Sequence, residues 1–458
     1  LSDIPFIIPT TALGYSLLLF WNGPEGISAL FGSPLISPGW LLVVLLHFTF
    51  SYPVAVRVFV GALLDYKMEY ERASRTLGAP PFTAVRTVTF PILKPALIAA
   101  FILTFARSIS ETGATMMVAG FFENKRYVSM FENGPVFIQN MKNDFTNNYI
   151  TQAEYEGATV FASLILIVLS CVIFALIRIL GPRLKLPLKR VWPKSERSLS
   201  YKKATLSRNS ITLAVFILIV LAPSLFVALP AFEALFTDTL SNSLSGAGIW
   251  HEYWQSLALS YFLGATVTVL NVAIGLPMAI LIARKRFGPV TSFMFDILVN
   301  IPLIIPSIAL GVSLKFFWKE SFTFIPEILL LIFAHLSITY PYFVRSMAAA
   351  VERINVDMEE AARTLGAKPI DVFKTIILPL TKNSILSGAI MVFTRSVSET
   401  GATLAVVSGL RTAPVVIVDW VRQAVAAAPL DIGLGCGFLM LFSFIILLSL
   451  RFVSKGRY

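Results

Sequence analysis

Apolar runs of about twenty residues dominate this chain and restrict it more than any other feature. No charge interrupts Ile211 to Leu229 or Leu257 to Ile282. A helix of that length spans the hydrocarbon of a bilayer. Several such runs require a helical bundle, because a backbone polar group in lipid must be bonded within its own segment. Composition agrees: of 458 residues, 56% are hydrophobic and 14% charged. A soluble domain carries roughly 25% charged residues.

We read ten spans, at 1–21, 37–64, 96–119, 158–181, 210–231, 256–283, 293–317, 326–350, 384–407 and 432–453. Net charge is +11. In a soluble protein this would suggest nucleic acid, but here the basic residues lie between spans, where they set orientation. Segment 183–208 holds Arg183, Lys185, Lys189, Arg190, Lys194, Arg197, Lys202, Lys203 and Arg208 against the single acid Glu196. It is expected on the cytoplasmic side. Arg284 to Arg286 and the terminal Arg451, Lys455 and Arg457 fall on the same side under the ten-span reading, whereas 232–255 holds only acids and suits the outside. Cys171 and Cys436 lie within apolar runs and cannot form a disulfide framework or a zinc site.

The chain repeats itself. His47 to Thr115 aligns without a gap with His335 to Thr403, and Gly78 falls on Gly366 (366 − 78 = 288). An earlier block, Ile4 to Trp21, aligns with Ile301 to Trp318 at an offset of 297. Both copies have the same orientation, so the repeat is parallel. Three parts are expected: a first unit at 1–182, a basic cytoplasmic linker at 183–209 and a second unit at 210–458. Two spans precede the Ile-Pro block in the second copy and none in the first. The expectation is a sequence incomplete at its start by about two spans, on the order of 90 residues; a native four-plus-six arrangement is the alternative.

Each copy has a polar stretch between its fourth and fifth elements. The second reads Glu360-Ala361-Ala362, three residues, Gly366, nine residues, then Ile376 to Pro379. The composition favours a short helix, ended by Gly366 in a left-handed conformation, with Pro379 as an elbow before the next span. Ala361 and Ala362 leave a small-residue face for a partner. The first reads Arg72-Ala73-Ser74, three residues, Gly78, nine residues, then Val88 to Pro91, with Glu71 beside the Arg that replaces the expected Glu.

The fifth element carries Arg107-Ser-Ile-Ser110-Glu111-Thr112-Gly-Ala-Thr115, repeated as Arg395 to Thr403 with Ser398, Glu399 and Thr400. Charges at membrane depth are costly and face a pathway or a partner. Arg107 and Glu111 stand four apart, as do Arg395 and Glu399, so each pair can meet on one helix face. Two roles stay open: lining or gating a solute route, or clamping the two copies together. His47 and His335 are read as hydrogen-bonded histidines at span ends, not metal ligands. The outer loop 121–156, with Tyr127, Phe131, Phe137 and Tyr149, is a candidate protein contact.

The second loop is similar to the EAA signature, EAA-x3-G-x9-I-x-L-P, of permease subunits of ATP-binding-cassette (ABC) importers. The intramembrane motif resembles that of permeases for molybdate, tungstate and sulfate, and also of ferric-iron permeases; two units fused in one chain resemble the ferric-iron and thiamine branches. The resemblance implies an all-α, polytopic transmembrane helical bundle of two parallel tandem repeats of the type I ABC importer permease fold. It implies no chemistry and no cofactor in this chain, and a setting in the inner membrane of a bacterium or archaeon. An ABC ATPase dimer would dock on Glu71, Ala73, Gly78 and Pro91 in the first loop and on Glu360, Ala361, Ala362, Gly366 and Pro379 in the second. An extracytoplasmic solute-binding protein would deliver a small inorganic ion such as ferric iron or an oxyanion. No G-x4-G-K-[ST] phosphate loop occurs, which assigns hydrolysis to another chain. The rivals are an ion-gradient-driven secondary transporter, which also accommodates repeats and buried charges but not two such loops, and an intramembrane enzyme. The chain has 3 His, no H-E-x-x-H and no G-x-S-x-G, which disfavours the enzyme.

Overall fold

A computed structural model describes residues 8–64, 66–123, 126–129, 131–180, 193–320, 322, 324–407, 409–422, 425 and 427–455. The first half contains α1 (Thr10–Asn22), α2 (Trp40–Leu64), α3 (Glu69–Thr76), α4 (Pro81–Ile92), α5 (Lys94–Ser110), α6 (Gly113–Val118), the hairpin β1 (Gly120–Glu123) and β2 (Arg126–Ser129), α7 (Gly134–Thr146) and α8 (Gln152–Leu180). After α9 (Pro193–Leu199), the second half contains α10 (Lys202–Ala234), α11 (Asp238–Ser245), α12 (Ile249–Ala283), α13 (Pro289–Ile304), α14 (Ser307–Lys319) and α15 (Glu327–Glu352). It ends with α16 (Val356–Thr364), α17 (Pro369–Val397), α18 (Gly401–Val406), α19 (Ala413–Val421) and α20 (Pro429–Lys455).

The repeat in sequence is a repeat in structure. Helices α1 and α14 share both ends at one offset (307 − 10 = 297 and 319 − 22 = 297), and α6 and α18 share both ends at the other (401 − 113 = 288 and 406 − 118 = 288). Among the described residues seven helices are long and apolar enough to cross a membrane, and two bent pairs raise this to nine. The first expected span begins in residues outside the described set. Three expected spans are not continuous: 96–119 breaks between Ser110 and Gly113, 293–317 breaks between Ile304 and Ser307 with a bend of 104°, and 384–407 breaks between Val397 and Gly401.

The halves are intertwined. One apolar core combines Leu13, Leu17 and Leu46 of the first half with Val227, Trp250, Trp420 and Leu439 of the second. Helix α10 belongs to the second unit in sequence but packs on the first. Thr49 donates to the Ile219 carbonyl at 3.2 Å, and Ser16 donates to the Pro223 carbonyl at 2.6 Å while accepting from the Val227 amide at 2.8 Å. Each polar bond satisfies a group that lipid would leave bare.

Both polar-loop helices end as the composition implies. Gly78 and Gly366 adopt φ of +92° and +89°. The amides of Gly366 and Ala367 donate to the carbonyls of Arg363 and Ala362 at 2.9 and 3.0 Å, and those of Gly78 and Ala79 to Arg75 and Ser74 at 3.0 and 3.2 Å. This is the paired 6→1 and 5→2 pattern that requires a left-handed residue. The proline elbow is different. Helix α17 runs through Pro379 without a break, because a π-helical segment, Phe373–Ile377, precedes it. Such a bulge re-registers the carbonyls and absorbs the proline's missing donor. The first copy has the matching π segment Val85–Thr89 before Pro91, yet α4 and α5 still diverge by 70°. Pro95 explains this: it stands where the second copy has Asn383, and it removes a donor in the first turn of α5.

Different charges brace the two loops. In the second, buried Glu359 pairs with Arg284 at 2.7 Å, and Arg284 also donates to the Ile354 carbonyl at 3.1 Å. In the first, Glu196 reaches over from α9, pairs with Arg86 at 2.6 Å and accepts from Thr83. The only acid in the basic stretch is therefore buried against the loop. Removing it with Glu196→Gln is expected to raise the rate of tryptic cleavage after Arg72 and Arg75 and to leave cleavage after Arg363 unchanged. Equal acceleration at both loops, or none at either, would contradict this brace.

Candidate functional site

The two Arg-x3-Glu motifs lie where their helices break. Helix α5 stops at Ser110, Glu111 is extended (φ −82°, ψ 125°), and α6 starts at Gly113. In the second copy Ser398 ends α17, and α18 starts at Gly401. Each carboxylate then has two partners. Glu111 Oε1 accepts from the Ala114 amide at 3.3 Å, and Glu399 Oε1 from the Ala402 amide at 3.0 Å. These amides belong to the first turn of a helix, where they have no intrahelical acceptor and favour a negative charge. The second oxygen faces the arginine, at 3.6 Å from Arg107 Nη1 and at 2.6 Å from Arg395 Nη1. Both glutamates are almost fully buried, at 3% and 2% exposure. Removing one partner of such a pair costs about 3–5 kcal/mol, because the other is left charged in a poor solvent.

The histidines brace the same junction. His47 on α2 bonds Ser108 Oγ through Nδ1 at 2.7 Å and Thr115 Oγ1 through Nε2 at 2.9 Å. His335 on α15 bonds Ser396 Oγ and Thr403 Oγ1, both at 2.9 Å. Each imidazole thus ties a long helix to both sides of the break. They lie about two turns inside their helices, not at the ends.

Small residues let the two junctions meet. A Cβ added to Gly113 would sit 2.6 Å from Thr400 Oγ1, and one added to Gly401 would sit 2.6 Å from Thr112 Oγ1 and from Ser307 Oγ. Two hydroxyls then cross between the copies. Thr10 donates to the Ser398 carbonyl at 3.3 Å, and its counterpart Ser307 donates to the Ser110 carbonyl at 3.0 Å. The crossing bonds satisfy carbonyls that the helix breaks set free.

Beside this interlock is a cavity of about 50 Å3 lined by Val54, Leu103, Arg107, Leu303, Tyr342, Met391, Thr394, Arg395 and Ser398. Three pairs in that wall are repeat counterparts at the offset of 288: Val54 and Tyr342, Leu103 and Met391, Arg107 and Arg395. The cavity therefore lies on the axis that relates the copies. A smaller neighbour shares Leu303, Tyr342 and Arg395 and adds Ser110 and Ser307. Of the motif residues, Arg107, Ser110, Arg395 and Ser398 reach these spaces, whereas Glu111, Thr112, Glu399 and Thr400 form the junction behind them. Tyr342 and Thr394 escaped sequence reading. Their signal was the mismatch with Val54 and Ala106 in an otherwise close alignment.

In the second polar loop, Glu360, Ala361 and Gly366 are exposed and Ala362 is half-buried. In the first loop, Arg72, Ala73 and Gly78 are exposed and Glu71 is half-buried. Glu71 aligns with the inward Glu359 (359 − 71 = 288), so it does not stand in for Glu360. Leu77 and Leu365 project at 90% and 89% exposure, with Tyr70 and Met358 half-exposed beside them, and Pro91 and Pro379 are exposed beyond.

Among its described residues, the loop 121–156 contributes to the small β1–β2 hairpin and forms α7 within the helical fold. Phe131 and Tyr149 are exposed there, whereas Phe137 packs against Ile308 and Val312. Lys142 on α7 donates to the carbonyls of Leu404 and of Val407, the latter at 3.0 Å, and so caps the far end of α18 in the other copy. Arg422 reaches back from the end of α19 to Asn140 Oδ1 at 3.0 Å. Burial, the largest cause, pushes the Lys142 ammonium down to about 8 and the Asp419 carboxyl up to about 6.

A methyl group at the interlock is expected to loosen the whole assembly. Gly401→Ala has to displace Ser307 or Thr112, at about 1–3 kcal/mol for overpacking, whereas Gly61→Ala meets open space. Thermal unfolding of the purified protein checks this, and equal melting temperatures for the two variants would contradict the interlock.

Comparison with known proteins follows this geometry. The family model described as a binding-protein-dependent transport system inner membrane component matches residues 1–186 and 275–456. The chain is 30% identical over 175 residues to the molybdenum transport system permease protein ModB of Mycobacterium bovis, covering 34% of this chain and 66% of that protein. It is 29% identical over 204 residues to the molybdate/tungstate transport system permease protein WtpB of Pyrococcus furiosus (44% and 79%). It is 30% identical over 184 residues to the probable sulfate transport system permease protein cysT of Helicosporidium sp. (39% and 62%). The chain thus spans just under two thirds of the ModB relative. The family match covers most of the chain and includes both copies of the repeat: this protein belongs to the inner membrane components of binding-protein-dependent transport systems.

Proposed function

We propose that the chain forms the membrane pathway of an ABC importer for tetrahedral oxyanions such as molybdate, tungstate or sulfate. The two halves enclose the route along their common axis. A separate ATPase dimer grips α3 and α16, and a solute-binding protein docks outside on the face that includes Phe131 and Tyr149. The chain performs no chemistry and needs no cofactor. Its setting is the inner membrane of a bacterium or archaeon.

One observation carries the coupling: two equivalent loop helices present an almost bare leucine each, Leu77 and Leu365, beside half-exposed Tyr70 and Met358. Paired apolar tips on short helices favour a partner with two matching clefts. Arg284–Glu359 holds α16 itself, and Arg86–Glu196 holds α4, the helix that follows α3. A push on either tip therefore reaches the long helices α5 and α17. The oxyanion rests on the similarity to molybdenum, molybdate/tungstate and sulfate permeases and on two arginines lining the axial cavity. Ferric iron finds no support among these relatives. An ion-gradient-driven carrier would leave the two leucine-tipped loops without a purpose.

Gly366→Pro distorts the left-handed helix end, and Glu360→Lys reverses a charge on the docking face. Both are expected to weaken ATPase co-purification and to lower ATP-driven molybdate uptake into proteoliposomes about tenfold or more. Unchanged co-purification and uptake in both would sink the coupling role. Uptake that follows an imposed ion gradient and ignores ATP would favour the carrier instead.

Glu111→Gln and Glu399→Gln separate the two roles of the Arg–Glu pairs. Each keeps the shape and loses the charge. We expect Glu399→Gln, at the closer pair, to lose assembly, and Glu111→Gln to assemble and transport more slowly. Full uptake by both would remove these pairs from the route and from the clamp.

A further inference from the structure

The axial cavity has a charge pattern that the route alone does not require. Its only formally charged wall residues are Arg107 and Arg395. Their glutamates lie behind the wall, each with one oxygen on the arginine and the other on a helix amide. The cavity thus meets two cations while the negative charge is turned away. Arg395 also keeps an unused donor: it is 8% exposed and its Nε has no acceptor. Leaving a buried charged donor unbonded is costly, so this group fits an absent acceptor. A guanidinium has five N–H groups in a planar fork that suits bidentate oxyanions.

The wall is also lopsided. The second copy supplies Tyr342, Thr394 and Ser398, and the first supplies Val54 and Leu103 at the positions of Tyr342 and Met391. Thr394 and Ser398 donate to carbonyls of their own helix, at 2.8 and 3.2 Å. Such bonds exchange by one rotation of the hydroxyl. Roughly 10–15 Å3 on this scale holds one water, so the cavity has room for a few waters or one small ion.

We infer that the Arg107–Arg395 cavity is a seat for a single tetrahedral oxyanion, and that Tyr342 of the second copy, not its counterpart Val54, sets its selectivity. The seat rests on the importer reading for its biological use but not for its existence. Two forks and one face of hydroxyls replace the hydration shell of a doubly charged ion. The apolar Val54, Leu103, Leu303 and Met391 add no competing bonds to the wall, so the ion is held tightly enough to enter and loosely enough to leave.

The test uses the permease–ATPase complex in lipid nanodiscs and radiolabelled molybdate in equilibrium dialysis, with no binding protein, in nucleotide-free and nucleotide-trapped complex. One saturable ion per chain is expected in at least one state, displaced by tungstate and sulfate. Arg395→Lys keeps the charge and loses the fork, and is expected to weaken binding about tenfold or more. Tyr342→Phe keeps the shape and is expected to weaken it about threefold to tenfold. ATPase co-purification and uptake are measured on the same preparations. Absence of saturable binding in both states would overturn the seat, and if uptake persists the importer reading survives. Equal affinity in wild type, Arg395→Lys and Tyr342→Phe would also overturn it. Saturable, fork-dependent binding without ATPase association would keep the seat and reject the importer.

Discussion

Everything at the centre of this molecule depends on one carboxylate per copy that serves two partners. Glu111 and Glu399 each cap a short helix with one oxygen and hold an arginine with the other. A charge at that depth is affordable only when fully paired. The pairing fixes where α6 and α18 start, and hence where Gly113 and Gly401 meet Thr400 and Thr112. The two arginines of these pairs also line the axial cavity. The two roles left open by the sequence, clamp and route, are compatible in one arrangement: acids and glycines join the copies, and the two arginines line the cavity between them.

Symmetry makes this arrangement and small departures from it give direction. The same histidine bridges, helix ends and crossing hydroxyls occur twice. Pro95 against Asn383 bends one approach to the junction and straightens the other. Glu196 against the Arg284–Glu359 pair gives the loops different braces. Tyr342 against Val54 makes one wall of the cavity polar. A single chain with two fused copies can accumulate such differences, whereas two identical subunits cannot.

Much of the fold was legible because membranes impose simple rules. Span length and a gap-free offset pointed to the repeated helical bundle, and the Gly78 and Gly366 helix ends followed from residue type. The breaks at Glu111 and Glu399 were not legible. Ser, Thr, Gly and Ala continue a helix as readily as they interrupt one, and the cap comes from a side chain folded back in three dimensions. The elbow at Pro379 was misread for a similar reason, since a π segment leaves no mark in composition. Glu196 looked like a stray acid in a basic linker, although its partners Arg86 and Thr83 lie over a hundred residues earlier. Lys142 and Arg422 cross between copies, and no local pattern announces such a contact.

The central claim is that solute passes between the two halves and that ATP changes which side the cavity faces. Met391 lines that cavity beside its counterpart Leu103. A Met391→Cys variant, with Cys171 and Cys436 replaced by Ser, can be labelled in proteoliposomes from either side with a membrane-impermeant thiol reagent. The expected result is labelling from one side without nucleotide and from the opposite side when ATP is trapped on the ATPase. Labelling that stays on one side in both states, or that never occurs, would contradict a pathway on this axis.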